Sequence, residues 1–346
     1  MANPIQTSDN PNAPIFLQEF AGLVNTQSAE RLGPADLTVA KNIDIDDVKQ
    51  VHRRRGYTRK DTGMWHSLYK SADGRNFGVK DGNFGLIAAD YSFTVLAAGG
   101  QRKLCYAEVG DTLYANSEDA CFKLDLRTGT ASGWGMLDGN GQWLSPVLTP
   151  TETLGEVSGK LLRNPPRAEY MTYFNGRIYM AAGNVVWCTE LYQYDYIDAT
   201  KNYFMMEGTV TGLGTVGEGI YVGTDKGTFF CRGTLNDMRK NPVVPDSVIA
   251  GSMIPANPQD YPDNSSKLAV LFLTSSGLCV GFDAGVCRNL TVNRFWFPDA
   301  VSANAVNRVQ DGISQYISVV DSGGAPASNA RIGDYVDAEI RRFRGA

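Results

Sequence analysis

Three stretches of this 346-residue chain carry residue types that could bind a cation or a phosphate. Asp44-Ile45-Asp46-Asp47 offers carboxylate oxygens, but a Ca²⁺ loop needs oxygen ligands at alternate positions around a turn-forming Gly, and Ile45 takes an intervening place. The alternation Ile43, Asp44, Ile45, Asp46 reads better as a strand with one solvated face. Asp138-Gly139-Asn140-Gly141 fits a tight turn, where Asn and Gly accept positive φ, better than a metal loop. Gly208-Thr-Val-Thr-Gly212-Leu-Gly214 lacks the Gly-Lys-Ser/Thr ending of a phosphate-cradling loop.

Nucleophilic and hydrolytic chemistry find no better footing. The histidines are His52 and His66, there is no Gly-x-Ser-x-Gly elbow, and no cysteine pairs with a histidine at useful spacing. Glycoside cleavage needs two carboxyls flanking the scissile bond. Ser71-Ala-Asp73-Gly74 and Thr224-Asp225-Lys-Gly227 approach the Ser-x-Asp-x-Gly turns of sialidase-like enzymes, and each misses the register by one residue. Cys105, Cys121, Cys188, Cys231, Cys279 and Cys287 contain no C-x-x-C pair, and neither histidine stands at ligand spacing from them. The expectation is a chain with no enzymatic activity, no cofactor and no metal.

The elements that hold these residues are more telling. Five segments share a strand bearing an aromatic, a turn, and a second apolar strand: Asn76 to Phe84, Leu113 to Phe122, Ile178 to Trp187, Ile220 to Phe230 and Leu271 to Val280, with a weaker copy from Ile313 to Val320. The lead aromatics Phe77, Tyr114, Tyr179, Tyr221, Phe272 and Tyr316 recur at intervals that mostly suit four-stranded propeller blades of roughly 40 to 50 residues. The interval from Tyr114 to Tyr179 is longer and holds a Gly/Pro-rich stretch, residues 128–166, read as an inserted loop region. The fold expected is all-β, a β-propeller of about six four-stranded blades with five to seven admissible; a β-sandwich or two small β domains is the rival arrangement. The domain division expected is an extended N-terminal arm over 1–37 and a propeller over 38–346.

Composition agrees with that class. Gly 37, Pro 15, Tyr 16 and Phe 15 make a turn-rich, aromatic-rich chain, and helical periodicity is not sustained. Short helical turns are expected at residues 236–240 and within 30–41. Cys121, Cys188, Cys231 and Cys279 fall in the second strand of their hairpins, as small apolar side chains facing a neighbouring blade. The hairpin formed by residues 42–51 is expected to turn at Asp46-Asp47 and to complete the last blade.

A formal net charge of −5 argues against a surface devoted to gripping nucleic acid. The local exception is the basic run His52-Arg53-Arg54-Arg55, echoed by Arg341-Arg342-Phe-Arg344. Tyr192, Tyr194 and Tyr196, and Phe295 and Trp296 with Phe297, place rings on both faces of their segments, which an ordinary half-buried strand does not require. These tyrosines, Phe295, Trp296, Arg53, Arg54 and Arg55 are the candidate interface; loops folding over the rings to complete a core are the bland alternative. The polar start of the chain does not read as a signal peptide, and no run of about 18 apolar residues is present for a membrane span.

The N-terminal region carries a resemblance. Gly22-Leu23-Val24-Asn25-Thr26 is a G-L-N-T opening with Val24 inserted; Ala40 to Asp46 reads A-x-N-x-D-x-D, and Arg53 to Gly56 reads R-R-x-G, all ahead of a series of β-hairpins. In this plan the chain resembles tailed-bacteriophage virion proteins of the propeller-bearing tail nozzle and head-to-tail type. The resemblance implies a structural ring subunit, commonly hexameric, that meets portal, adaptor or tail-fibre proteins and surrounds the channel through which DNA leaves without specific binding. It implies assembly in the host cytoplasm and residence in the virion tail, and supplies no catalytic residues. A carbohydrate- or receptor-binding propeller of the virion is the alternative.

Overall fold

The computed structural model describes residues 19–41, 43–45, 49–53, 58–136, 161–261, 266–310, 313–322 and 338–341. Five of its sheets are four-stranded antiparallel meanders, and each contains one of the sequence hairpins as its second and third strands. The first sheet runs Trp65–Lys70, Asn76–Lys80, Asn83–Ile87 and Phe93–Ala98. The second runs Cys105–Val109, Thr112–Asn116, Cys121–Asp125 and Thr130–Gly133. Tyr170–Phe174, Arg177–Ala182, Val185–Cys188 and Tyr203–Met205 form the third. The fourth is Val210–Val216, Gly219–Thr224, Gly227–Arg232 and Arg239–Val244. Ile254–Ala256, Ala269–Thr274, Gly277–Gly281 and Cys287–Asn289 make the fifth. A sixth has three strands, Ser302–Gln310, Ile313–Asp321 and Ala338–Arg341. The molecule is an all-β propeller with these sheets as its blades.

The period of two along each strand explains how the blades stack. The lead aromatics occupy equivalent places in the second strands and are all buried: Phe77, Tyr114, Tyr179, Tyr221, Phe272 and Tyr316. Each joins an apolar cluster shared by two successive sheets. Phe77 and Val79 of the first sheet meet Leu113, Phe122 and Leu124 of the second. Tyr114 meets Ile178 and Met180, Tyr179 meets Ile220 and Val222, Tyr221 meets Phe272, and Leu271 and Val280 meet Ala303 and Tyr316. Burying a ring of this size contributes about 1.5–3 kcal/mol relative to leaving it exposed, so the repeated aromatic is the main cohesive unit between blades.

Buried hydroxyls on the aromatics fix the packing angle as well. Tyr221 donates to the carbonyls of Phe282 at 2.7 Å and Val286 at 2.9 Å in the next blade. Tyr316 donates back to the Ser252 carbonyl at 2.8 Å. At Gly281 a Cβ would come within 2.6 Å of the Tyr221 ring, so only a glycine lets this strand pass over that aromatic. Cys188 and Cys231 lie buried in the cluster between the third and fourth sheets, Cys279 in the one between the fourth and fifth, and Cys121 packs half-buried between the second and third.

Three local expectations need correction. The hairpin Ile43–Ile45 with Val51–Arg53 forms its own two-stranded sheet and does not complete the last blade; three residue pairs offer little ladder, and the free edge of the sixth sheet pairs with Ala338–Arg341. Its turn at Asp46-Asp47 lies outside the described residues. The expected helical turns are 3₁₀ turns at Ala29–Arg31 and Leu235–Asp237, overlapping the start of each expected range, and two more that sequence did not suggest are Pro258–Asp260 and Asp283–Gly285. Of the stretch 128–166, Thr130–Gly133 is the outer strand of the second blade, and Leu162–Arg163 pairs with Ile197–Asp198; residues 137–160 lie outside the described residues.

Candidate interaction surface

The segment Gly22 to Thr26 is docked on the loop that follows the fifth blade. Gly22–Leu23 pairs in parallel with Asp36–Leu37, which folds the arm on itself. The Asn25 side chain then imitates a strand partner: its amide donates to the Trp296 carbonyl at 2.9 Å, and its carbonyl oxygen accepts from the Trp296 backbone N–H at 2.8 Å. The Asn25 backbone N–H donates to the Arg294 carbonyl at 2.9 Å, and the Thr26 hydroxyl donates to the Asn293 carbonyl. Arg294 reaches the other way, donating to the Ala21 carbonyl at 2.7 Å with its guanidinium 3.6 Å from Asp36. Asn suits this role because one planar amide presents a donor and an acceptor side by side.

The same loop accounts for the Phe295–Phe297 segment. It is not a strand. Phe297 is buried and Phe295 packs beside it, the rings 6.0 Å apart and nearly parallel, both against the core of the fifth and sixth blades. Trp296 points the other way and is 55% exposed beside the docked arm. The tyrosine segment is likewise a turn. Tyr194 packs into the joint of the second and third blades, edge-on to Tyr114 and Tyr173, and its carbonyl accepts the Trp134 indole N–H at 2.7 Å. Burial, with a hydrogen bond to Tyr173, pushes the Tyr194 phenol up to about 12. Tyr196 is half-buried, and Tyr192, with φ of 57°, projects into solvent. Of the aromatics proposed for an interface, Tyr192 and Trp296 are therefore presented outward, while Tyr194 and Phe295 are half-buried against the cores. Arg53 is exposed at the end of the small hairpin; Arg54 and Arg55 lie outside the described residues.

A second surface escaped sequence reading altogether. Blades one and six each have only one chain neighbour, and exposed apolar side chains stand on the face turned from it, on the sixth beside Asn304, Arg308 and Gln315. On the first blade, Trp65, Leu68 and Ile87 cluster over Gly78, where a Cβ would meet all three, and Phe93 packs edge-on against Trp65. Leu68 and Val95 on this face are 68% and 56% exposed. On the sixth blade, Val306 and Val319 are 56% and 46% exposed, on the face opposite Ala303 and Tyr316. Between the two, Lys103 at the start of the second blade donates to Asn304 of the sixth at 2.8 Å. The alternation in Ser302–Gln310 was visible in sequence; which face lacked a neighbour was not.

The sialidase-like turns serve structure. Asp73 accepts from the Ser71 hydroxyl and holds the Arg75 guanidinium at the first hairpin turn. Buried Thr224 caps the turn to Gly227 by accepting from the Lys226 and Gly227 backbone N–H groups, and Thr274 accepts from Ser276 N–H in the equivalent turn of the next blade. No helix among the described residues is long and apolar enough to cross a membrane.

No protein-family model matches the chain, and no curated protein matches it. Solved structures do. BBS1N in complex with ARL6DN aligns with a TM-score of 0.47 at 10% identity, covering 88% of this chain and 87% of that one. PorZ of Porphyromonas gingivalis gives 0.40 at 10%, covering 79% of this chain and 31% of that one. BamB from Moraxella catarrhalis gives 0.28 at 14%, covering 47% and 41%. The chain also spans 33% of an extracellular two component system domain from B. thetaiotaomicron, at a TM-score of 0.46 and 12% identity over 79% of this chain. With TM-scores below 0.5, none of these bears on function; the propeller rests on its own sheets.

Proposed function

We propose that the chain is a structural, non-catalytic subunit of a bacteriophage virion, a tail nozzle or head-to-tail ring component in which the propeller is a rigid block between neighbouring proteins. The observation that carries the reading is the set of exposed apolar side chains on the first and sixth blades, Leu68 and Val95 on one and Val306 and Val319 on the other, because exposed apolar side chains gathered on a sheet face mark association surfaces. The Gly22 to Thr26 motif that carries the family resemblance adds to it, since this segment is a docked strap on the fifth blade rather than a loose tail. In a ring, each subunit's exposed apolar residues would meet a neighbour, and the formal net charge of −5 disfavours tight phosphate binding by passing DNA. Light scattering on the size-separated chain tests the reading. A multi-subunit ring that dissociates in Leu68→Asp and Val306→Asp supports it; a monomer at every concentration, unaffected by either change, refutes it.

A further inference from the structure

A groove of about 160 Å³ opens where the fourth, fifth and sixth blades meet, and it is built from two copies of one turn. In the fourth blade, Thr224 caps a turn whose next residue is Asp225; in the fifth, Thr274 caps the equivalent turn whose next residue is Ser275. Asp225 and Ser275 both line the groove, together with the polar Ser247 and Thr211 and the apolar Phe297, Pro298 and Val301. The Thr211 hydroxyl is buried with no hydrogen-bond partner. Such a group stays unpaired only at a penalty unless water or a ligand meets it. The Asp225, Ser247 and Ser275 side chains also make no hydrogen bond or ion pair among the described residues.

We propose that this groove binds a neutral, hydroxyl-rich ligand of about one sugar ring, with the Asp225 carboxylate accepting from ligand hydroxyls and Thr211, Ser247 and Ser275 completing the set. Four features select that chemistry. Hydroxyl side chains both donate and accept, so a partner that does the same, an alcohol, satisfies all of them, whereas an ammonium group only donates and leaves their protons unmatched. An anion would meet the Asp225 carboxylate, which only accepts. The volume lies below the roughly 300 Å³ at which sites for drug-sized ligands begin. A lining that mixes polar and apolar side chains suits a pyranose, which presents both hydroxyls and C–H groups. Asp225 is held in place from behind by its own backbone N–H bond to the Thr209 carbonyl at 3.0 Å, and by Gly208, where an added Cβ would collide with the carboxylate.

The test is saturation-transfer NMR on the full chain with D-glucose, D-galactose and N-acetyl-D-glucosamine as probes and ethylammonium as the cationic control. At least one sugar should show transfer from the protein. Affinity should fall about 10-fold in Asp225→Ala and about 5-fold in Thr211→Val, in line with the loss of a charged and a neutral hydrogen bond. Gly208→Ala, which keeps every polar group but displaces the carboxylate, should weaken binding as well. Thr211→Val supplies a readout independent of sugar: removing an unpartnered buried hydroxyl should leave the melting midpoint of the free protein unchanged or raised while binding is lost. Absence of transfer to all three sugars, equal transfer in the wild type and both substitutions at Asp225 and Thr211, or transfer confined to ethylammonium would each overturn the proposal.

Discussion

Replacing Asn25 by Ala should release the N-terminal arm without disturbing the blades. The side chain makes two hydrogen bonds to the Trp296 backbone, at 2.9 and 2.8 Å, and both vanish with the amide. At about 1 kcal/mol net for each bond, arm opening becomes easier by about 2 kcal/mol, or about 30-fold in the opening equilibrium. Hydrogen exchange reads this directly, because the arm's own amides are committed: Ala21 N–H to the Ala35 carbonyl, Val24 N–H to Leu37, and Asn25 N–H to Arg294. Their exchange should quicken by one to two orders of magnitude, while amides of the fourth blade, such as Tyr221 and Val222, keep their rates and the melting midpoint barely moves. Local opening of this kind is separable from global unfolding because few buried contacts join the arm to the rest. Unchanged protection at Val24 and Asn25 in the variant would refute the docking geometry. Quickened exchange across the fifth blade would show instead that the arm is integral to the propeller.

Other expectations follow from particular contacts. Tyr221→Phe removes the hydroxyl that two carbonyls of the next blade share, and should cost about 1–2 kcal/mol in urea unfolding; Phe272→Ala, fully buried between blades four and five, should cost about 3–5 kcal/mol. Asp61 is held down to about 2 by hydrogen bonds from Lys80 and the Gly63 N–H. A depressed carboxyl stabilises the fold above its unfolded value near 4 and loses that contribution as pH falls through about 2, so Asp61→Asn should be less stable than wild type at pH 6, and the gap should close in acid. Burial pushes the Cys188 and Cys231 thiols up to about 12; a thiol-specific disulfide reagent at neutral pH should leave both unmodified in the native protein and label them on unfolding. Rapid labelling of either in the native state would contradict the inter-blade cores.

The blade plan was legible because one chemical decision repeats. An aromatic at the same place in every second strand, followed by a turn and a second apolar strand, is the pattern that stacked sheets require, and Tyr221 and Phe272 proved to be packed against one another. The weaker copy at Tyr316 was also read in its correct place, although its sheet is completed only by a distant strand. Less regular segments misled because local alternation was applied to turns. Tyr194 and Phe295 looked like surplus rings on a strand, yet in a turn successive side chains diverge at other angles, and both pack half-buried against the blade cores. The arm's dock could not be read at all: Asn25 and Trp296 are far apart in sequence, and a side-chain amide pairing with backbone leaves no periodic trace. The groove did leave a signal, since Thr224-Asp225-Lys226-Gly227 and Thr274-Ser275-Ser276-Gly277 are copies of one turn at matching places in adjacent blades.

The most direct test of the assembly account is an electron cryomicroscopy map of the purified full-length chain at high concentration. The account predicts a rotationally symmetric ring with neighbouring protein density packed on Leu68 and Val95 of the first blade and on Val306 and Val319 of the sixth. Solitary propellers, or a ring in which both of those faces remain bare to solvent, would contradict it.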